Sequence, residues 1–535
     1  MLRLFTTLAI SLLLYGCATI TTPTGGPKDE EAPILTSSDP KNDQTNFKGK
    51  TIELTFNELI NLNNPKEEII IIPPVGKKTN FQAKRNKVII TPEESLRENT
   101  TYTISFREGI KDLTEGNPAE NLKLAFSTGP FIDTLQIEGT VAEATKEKIP
   151  EGITVALFSS DTFNIFEHTP EYFTKTAKDG KFQITNLKPG TYRLYGFEDK
   201  NKNLKLESKN ERYAFKSDTI HLKKNSTKNQ LRLVHLDSRP LTFTNVRAQA
   251  DVNTIRFNKQ VATYKLISPE KLLSSFGTDG SEIITYYPNI ESDSLQIQLH
   301  AEDSLHQTFD SLIFIKKTDK ERIEESLRLS VSDPQLNTET GTLTFSLTPS
   351  KIITALTIDS IYLEIDSLTK IPLAQKSFSL DTIRKVINVR QQLTLKKDEA
   401  EPKNLILRPA ALISIEGDSS KPTKKQIQSF NSESTAMLLA EVQTKAPHYI
   451  VQVLSTNYEI LAVERNKPKV TFKYLPPQNI KLRLIIDSNN NGVWDTANYL
   501  TNTEPERIIY YQTQDKKFET PLRANWEVGP LLLKF

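Results

Sequence analysis

Short runs in which apolar and polar residues alternate constrain this 535-residue chain more than any other feature. In TIELTFNELI (51–60), Ile52, Leu54 and Phe56 fall on one face, because successive side chains of a strand point to opposite sides. EEIIIIPP (67–74) is instead apolar throughout its centre and is stopped by two prolines. NKVIITP (86–92), TTYTISF (100–106) and LKLAFSTG (122–129) follow. Strand formers fill the patterned runs, and Gly, Pro, Asn and Asp separate them. That spacing predicts antiparallel sandwiches. We therefore expect an all-β chain of several β-sandwich domains in series. The length suits about three or four domains and allows several separate cores.

The N-terminus, MLRLFTTLAISLLLYGC, has one positive charge at Arg3, an apolar run over 4–14, and then Gly16-Cys17. The run is too short to cross a bilayer and has the proportions of a signal peptide. Cys17 is the single cysteine of the chain, so no disulfide joins its parts. A lone cysteine after a short apolar run and a small residue resembles the lipobox of bacterial lipoproteins. The resemblance implies lipidation of Cys17, a mature chain that begins there, and a membrane partner in the form of the outer membrane. Tyr15 departs from the small residue usual in that box. An ordinary cleaved signal with an incidental cysteine is the alternative. Residues 18–32, ATITTPTGGPKDEEA, read as a flexible tether.

Four segments follow. Residues 33–129 carry ELTFNELI, NTTYTISFREGIKDLTEGN and FSTG in that order. This resembles the Ig-like domain of bacterial surface-layer (SbsA-like) and lipoprotein sequences, and TGGPKDEEAP resembles the start of large lipoproteins of Bacteroidota-type bacteria. Both resemblances imply a scaffold module of the cell envelope with no catalytic residues to transfer. Residues 130–236 contain DGKFQITNLKPGTYRLYGFED (179–199). Its Leu-x-Pro-Gly-x-Tyr turn resembles the transthyretin-like or carboxypeptidase-regulatory-like sandwich. Residues 237–388 are strand-rich without a recognisable type. Residues 389–429, with Pro, Ser and Lys, read as a linker or irregular segment, and 430–535 return to strands.

The last segment repeats the second. ITNLKPGTYRLYGFEDKNKN (184–203) aligns without a gap on FKYLPPQNIKLRLIIDSNNN (472–491), placing Leu187 on Leu475, Leu194 on Leu482 and Asp199 on Asp487. Residues 430–535 are therefore expected to be a sandwich like 130–236, with chance similarity of strand patterns as the alternative. Both copies feed an Asp-x-Asn-x-Asn loop. Asp487, Asn489, Asn491 and Asp495 have the spacing of a calcium loop, with Gly492 at its sixth position. In the second domain the set is Asp199, Asn201, Asn203 and Glu207, with Leu204 in place of glycine and three lysines nearby. The bidentate glutamate of position 12 is absent, because Asn498 and Asn210 stand there. No cofactor is required by the sequence; Ca2+ bound weakly is one reading of these loops and a turn braced by Asx hydrogen bonds is the other.

The triplet Asp-[Ser/Thr]-[Leu/Ile] occurs at Asp133, Asp218, Asp293, Asp303, Asp310, Asp359, Asp366 and Asp381, with Asp495 as a variant. Composition alone gives about two. Asp with Ser or Thr forms turns, and the apolar residue then starts a strand. The triplet also resembles the O-glycosylation signal of Bacteroidota exports, which implies sugars on Thr134, Thr219, Ser294, Ser304, Ser311, Ser360, Ser367, Thr382 and Thr496.

Net charge is +2, with no basic block to engage nucleic acid. No HExxH, P-loop, GxSxG or dinucleotide motif appears among the six histidines and 19 glycines. These features predict a non-catalytic, lipid-anchored envelope protein with a structural, adhesive or protein- or glycan-binding role. An envelope enzyme processing glycans or peptides, with the sandwiches as accessory modules, is the alternative. An assembly factor that binds partners along exposed strand edges is a third.

Overall fold

The computed structural model describes residues 30–119, 122–159, 163–288, 290–320, 325–395 and 400–535. The signal segment, Cys17 and most of the tether lie outside the described residues. Five β-sandwiches follow one another along the described chain.

In the first sandwich, Leu35–Asp39, Ile52–Phe56, Lys87–Thr91 and Asn80–Lys84 form one sheet. Ile70–Ile72, Thr101–Ser105 and Lys123–Ser127 form the facing sheet. The alternation of TIELTF is what buries it: Ile52, Leu54 and Phe56 are at most 1% exposed, and Leu54 pairs with Val88 across the sheet. The turn after Ile110–Asp112 is held by one buried carboxylate. Asp112 accepts the backbone N–H groups of Thr114, Glu115 and Gly116 on one oxygen and of Asn117 on the other. Burial opposes its ionisation, but the four donors outweigh it and hold the carboxyl below the usual range.

The unbroken isoleucine run has its own cause. Glu67 and Glu68 end a one-turn helix, Pro65–Glu68, and the strand is only Ile70–Ile72. Ile69 and Ile71 enter the core of the first sandwich, while Ile70 enters a core of the second, against which Ile72 also packs. One short strand thus serves two hydrophobic cores, so neither of its faces can be polar.

The second and last sandwiches share their topology. In the second, Leu135–Glu143 lies between Lys181–Leu187 and the parallel strand Ser226–Leu233. Its facing sheet runs Tyr172–Lys175, Thr154–Phe158, Gly190–Phe197, Tyr213–Phe215, with Ile220–Leu222 also on Gly190–Phe197. In the last, Ala436–Gln443 lies between Lys469–Leu475 and the parallel strand Glu527–Lys534. Its facing sheet runs Ile460–Arg465, Tyr449–Ser455, Asn479–Ile486, Ile508–Tyr510, with Glu519–Pro521 also on Asn479–Ile486. Even the irregularities coincide: the register shifts between Leu135 and Ile137 in one copy and between Ala436 and Leu438 in the other.

Residues 237–388 do not form one domain, and 389–429 are not a linker. A third sandwich spans Phe243–Gln249 to Thr308–Lys316 around Ile255, Ile283 and Leu299. A fourth spans Leu329–Val331 to Gln428–Phe430. Its core takes Leu405, Leu407, Leu412 and Ile427 from the expected linker. The Pro, Ser and Lys content of that stretch belongs to turns and outward-facing positions, which masked strands of three or four residues such as Asn404–Leu407 and Thr423–Gln426.

The last four sandwiches close on themselves. At the junction of the second and third, Tyr213 Oη bonds Ser238, and Leu305 joins Leu236 and Phe215 in one cluster. Tyr286 Oη donates to Glu416 between the third and fourth at 2.7 Å. Tyr474 Oη donates to Glu339 between the fourth and fifth at 2.8 Å. The fifth then docks on the second. There Lys481 pairs with Glu147, Tyr458 Oη donates to the same carboxylate at 2.9 Å, and Tyr510 Oη donates to Thr145 O at 2.5 Å.

Candidate functional site

The joints between sandwiches carry the features that sequence reading singled out. In the last sandwich, Asp487 follows strand Asn479–Ile486 directly. One Asp487 oxygen accepts the Asn491 N–H at 3.0 Å and the other accepts the Gly492 N–H at 2.9 Å. Asn489 Oδ1 accepts the same Asn491 N–H, and Asn491 Oδ1 accepts Val493 N–H. Both asparagine Nδ2 groups donate to Asp495 Oδ2. The loop of the second sandwich repeats each contact with Asp199, Asn201, Asn203 and Glu207, with Leu204 N–H in the place of Gly492 N–H.

Sequence reading missed one member of each loop. Glu506 accepts Ser488 N–H on one oxygen and Asp495 N–H on the other. Glu211 accepts Lys200 N–H and Glu207 N–H in the same way. Both glutamates are buried, Glu211 at 1% exposure. Each lies outside the twelve-residue frame, so spacing alone does not reveal it. Burial pushes the Glu211 carboxyl up despite the two N–H donors, and the Asp199 and Glu207 charges add to the rise. Each loop gathers two asparagine amides and three carboxylates, Asp487, Asp495 and Glu506 in the last sandwich and Asp199, Glu207 and Glu211 in the second, but these carboxylates already accept N–H donors. Among the described residues no group of three or more His, Cys, Asp or Glu side chains surrounds a metal position. As they stand, the loops are turns braced by hydrogen bonds between their own side chains and backbone.

The two loops dock on different neighbours. Lys202 of the first loop pairs with Glu67 on the helix of the first sandwich. Beyond the second loop, Tyr499 packs edge-on against Phe166, Tyr213 and Phe215 of the second sandwich, with ring centroids 5.2 to 6.3 Å apart. Trp494 and Ala497 join that cluster. Glu504 accepts Ser217 N–H and pairs with Lys216 at 3.0 Å.

Between the first and second sandwiches lies a cleft of about 780 Å3. Its wall combines Ile71, Val75 and Phe81 with Phe173 and Leu204, and the Lys202–Glu67 pair stands at its rim. The cleft is half open, and charged side chains such as Lys66, Lys77, Glu94, Arg97 and Glu171 share its lining with the apolar ones. A concave wall with a few convergent polar groups is a common form of a binding site.

The histidines assemble no catalytic relay. His300 lies 3.3 Å from Asp310 on an exposed strand face, His306 pairs with Glu302, and His221 meets Thr191 Oγ1. None of the described histidines bridges a hydroxyl to a carboxylate. The hydroxyl-bearing triplets divide into two groups. Thr134, Ser294, Ser304, Ser311, Ser367 and Thr382 are exposed, whereas Thr219, Ser360 and Thr496 are half-buried. Asp303, Asp366 and Asp381 cap turns through backbone N–H groups. Leu135, Ile220 and Ile361 each begin a strand after their triplet's hydroxyl.

No helix among the described residues is long and apolar enough to cross a membrane. Residues 29–128 match the family described as a bacterial Ig-like domain. Residues 134–229 match the second β-sandwich domain of BOS complex subunit NOMO1-like proteins. No curated protein matches the chain. Among solved structures, surface layer protein SbsC, domains 1–6, is similar at 11% identity and a TM-score of 0.18, covering 92% of this chain and 68% of that one. Dimeric latent PorU from Porphyromonas gingivalis is similar at 7% identity and 0.21, covering 64% and 43%. The SGBP-B protein of a Bacteroides ovatus mixed-linkage glucan utilization locus is similar at 9% identity and 0.15, covering 73% and 91%. The two family matches give the chain a bacterial Ig-like domain followed by a NOMO1-like β-sandwich.

Proposed function

We propose that the chain is a lipid-anchored, non-catalytic protein of the cell envelope that holds a binding cleft away from the membrane. The observation that carries this reading is the closure of four sandwiches by the Glu147, Glu504 and Tyr499 contacts. A closed set of domains resists bending better than a linear string, which suits a scaffold or adhesive role. The first sandwich then sits between the anchor at Cys17 and the closed set, with the cleft at its junction. Partners in that cleft are an envelope protein or a glycan.

Membrane fractionation of the native host tests the anchor. The wild-type chain partitions with membranes and its N-terminal peptide carries acyl mass on Cys17. Cys17→Ser releases the chain into the soluble fraction; a Cys17→Ser chain that stays with membranes overturns the reading. Intact mass tests the sugars: added hexose masses localise to exposed hydroxyls such as Ser367 or Thr382, and an unmodified mass removes that element.

The Asp487 and Asp199 loops take calcium weakly, in the extracellular range, because the bidentate glutamate of position 12 is missing and their carboxylates already accept N–H groups. Millimolar calcium raises the melting temperature and EDTA reverses it. An unchanged melt leaves both loops as hydrogen-bonded turns.

A further inference from the structure

We propose that a second chamber of the interdomain cleft binds an anionic saccharide. This chamber, about 660 Å3, lies beside the first and shares Ile70 and Lys175 with it. It is framed by Thr101–Ser105 and Lys123–Ser127 of the first sandwich and by Leu135–Glu143, Lys181–Leu187 and Ser226–Leu233 of the second.

Its charge is one-sided. Arg107, Lys123, Lys175, Lys181 and Lys228 line it against a single carboxylate, Glu138, leaving four net positive charges by subtraction. The whole chain carries only +2. Two of the cations are engaged outside the chamber, Arg107 with Glu68 at 3.5 Å and Lys181 with Asp179 at 2.7 Å. Lys123 and Lys228 form no ion pair with any described residue, and they come from different sandwiches. Two unneutralised ammonium groups facing one cavity repel each other, and a bound anion removes that cost.

The rest of the wall selects among anions. Ser105, Thr140, Thr174 and Gln183 offer hydroxyl and amide groups, while apolar lining is limited to Ile70, Ala177 and Phe182. Sugar hydroxyls match such a wall, whereas an apolar peptide side chain does not. Phe182 is 4% exposed, so no ring is available for the base stacking that single-stranded nucleic acid uses. The chemistry that fits is therefore a saccharide bearing carboxylate or phosphate groups. This assignment stands apart from how the chain is anchored.

Calorimetric titration of the full chain with oligogalacturonate tests it, with a neutral cello-oligosaccharide and inorganic phosphate as comparison probes. The expected result is binding of oligogalacturonate that weakens as salt rises from about 0.05 M to about 0.5 M, with no heat from the neutral sugar. The K123Q/K228Q variant, whose exposed substitutions leave the melt unchanged, loses about tenfold in affinity. Equal binding of the neutral sugar, phosphate binding as tight as the oligosaccharide, absence of any binding, or an unchanged affinity in K123Q/K228Q overturns the proposal.

Discussion

The second and last sandwiches are the same object put to two uses. Strand order, parallel pairing and register shifts agree between them. Their loops also agree bond for bond, down to the buried glutamate that caps each one. What differs is the surface beyond the bonds. The first loop presents Lys200, Lys202 and Lys205, and Lys202 reaches Glu67 of the first sandwich. The second presents Trp494, Ala497 and Tyr499, which join an aromatic cluster in the second sandwich. A rigid loop on a conserved frame thus serves as a joint, polar in one copy and apolar in the other. Of the two loops, the apolar one takes part in closing the set of four, beside the Glu147–Lys481 and Glu504–Lys216 pairs.

Removing the caps should break the comparison most sharply. Glu506→Ala leaves the Ser488 and Asp495 N–H groups without an acceptor, and Glu211→Ala does the same to Lys200 and Glu207. Each buried charged acceptor accounts for about 3 kcal/mol. Both variants should lose similar stability in thermal melts. Only Glu506→Ala should also enlarge the particle in small-angle scattering, because only its loop holds the ring shut.

Tyr499→Ala separates docking from loop folding. The ring is half-buried among four aromatic side chains, so its loss costs about 2 kcal/mol. Hydrogen exchange should rise at the Glu147–Lys481 contact while the 487–495 amides stay protected. Faster exchange within 487–495 would show that the loop depends on its docking partner.

Acid should loosen both joints, since Lys202 also holds the Glu67 carboxyl below its usual range, while the Glu211 cap inside the first loop responds in the opposite direction. Burial opposes ionisation of Glu147, yet Lys481 and Tyr458 hold its carboxyl below the usual range. Burial likewise opposes ionisation of Glu504, and Ser217 with Lys216 outweighs it. Groups with depressed values stabilise the fold above the ordinary glutamate pKa, about 4.3, and lose that contribution as pH falls through their folded values. Glu211 is shifted upward, so its contribution is present at low pH and is lost as pH rises. Scattering at descending pH should show the ring opening before the second sandwich loses its loop protection. Simultaneous loss would mean that the joints are not independent.

The strands themselves were readable because period-two alternation is local: Ile52, Leu54 and Phe56 needed no distant information. The gapless match of 184–203 to 472–491 was readable for the same reason. The isoleucine run at 69–72 showed burial but not its cause, since two cores share one strand only after folding. Glu211 and Glu506 escaped because their spacing from the first aspartate differs between copies, 12 residues in one and 19 in the other. The strands of 404–430 were hidden by composition, as runs of three or four residues carry little periodic signal. Ring closure rests on pairs such as Glu147 with Lys481, which no local pattern marks.

The smallest expected effect concerns one backbone position. Leu204 and Gly492 occupy the same left-handed turn, with φ of 60° and 79°. A side chain is strained there by about 1 kcal/mol. Gly492→Ala should cost about that amount, with its Cβ also 3.3 Å from Arg465 Nε. Leu204→Gly should gain the same relief, but it also removes a half-buried side chain that packs against the second sandwich and lines the cleft. The two terms nearly cancel, so the melt should shift by less than about 0.5 kcal/mol. A clear stabilisation by Leu204→Gly would show that the leucine contributes little to packing. A clear loss would show that the lysine-rich loop keeps its strained leucine because the cleft needs that wall, so that the divergence of the two joints follows what each must touch.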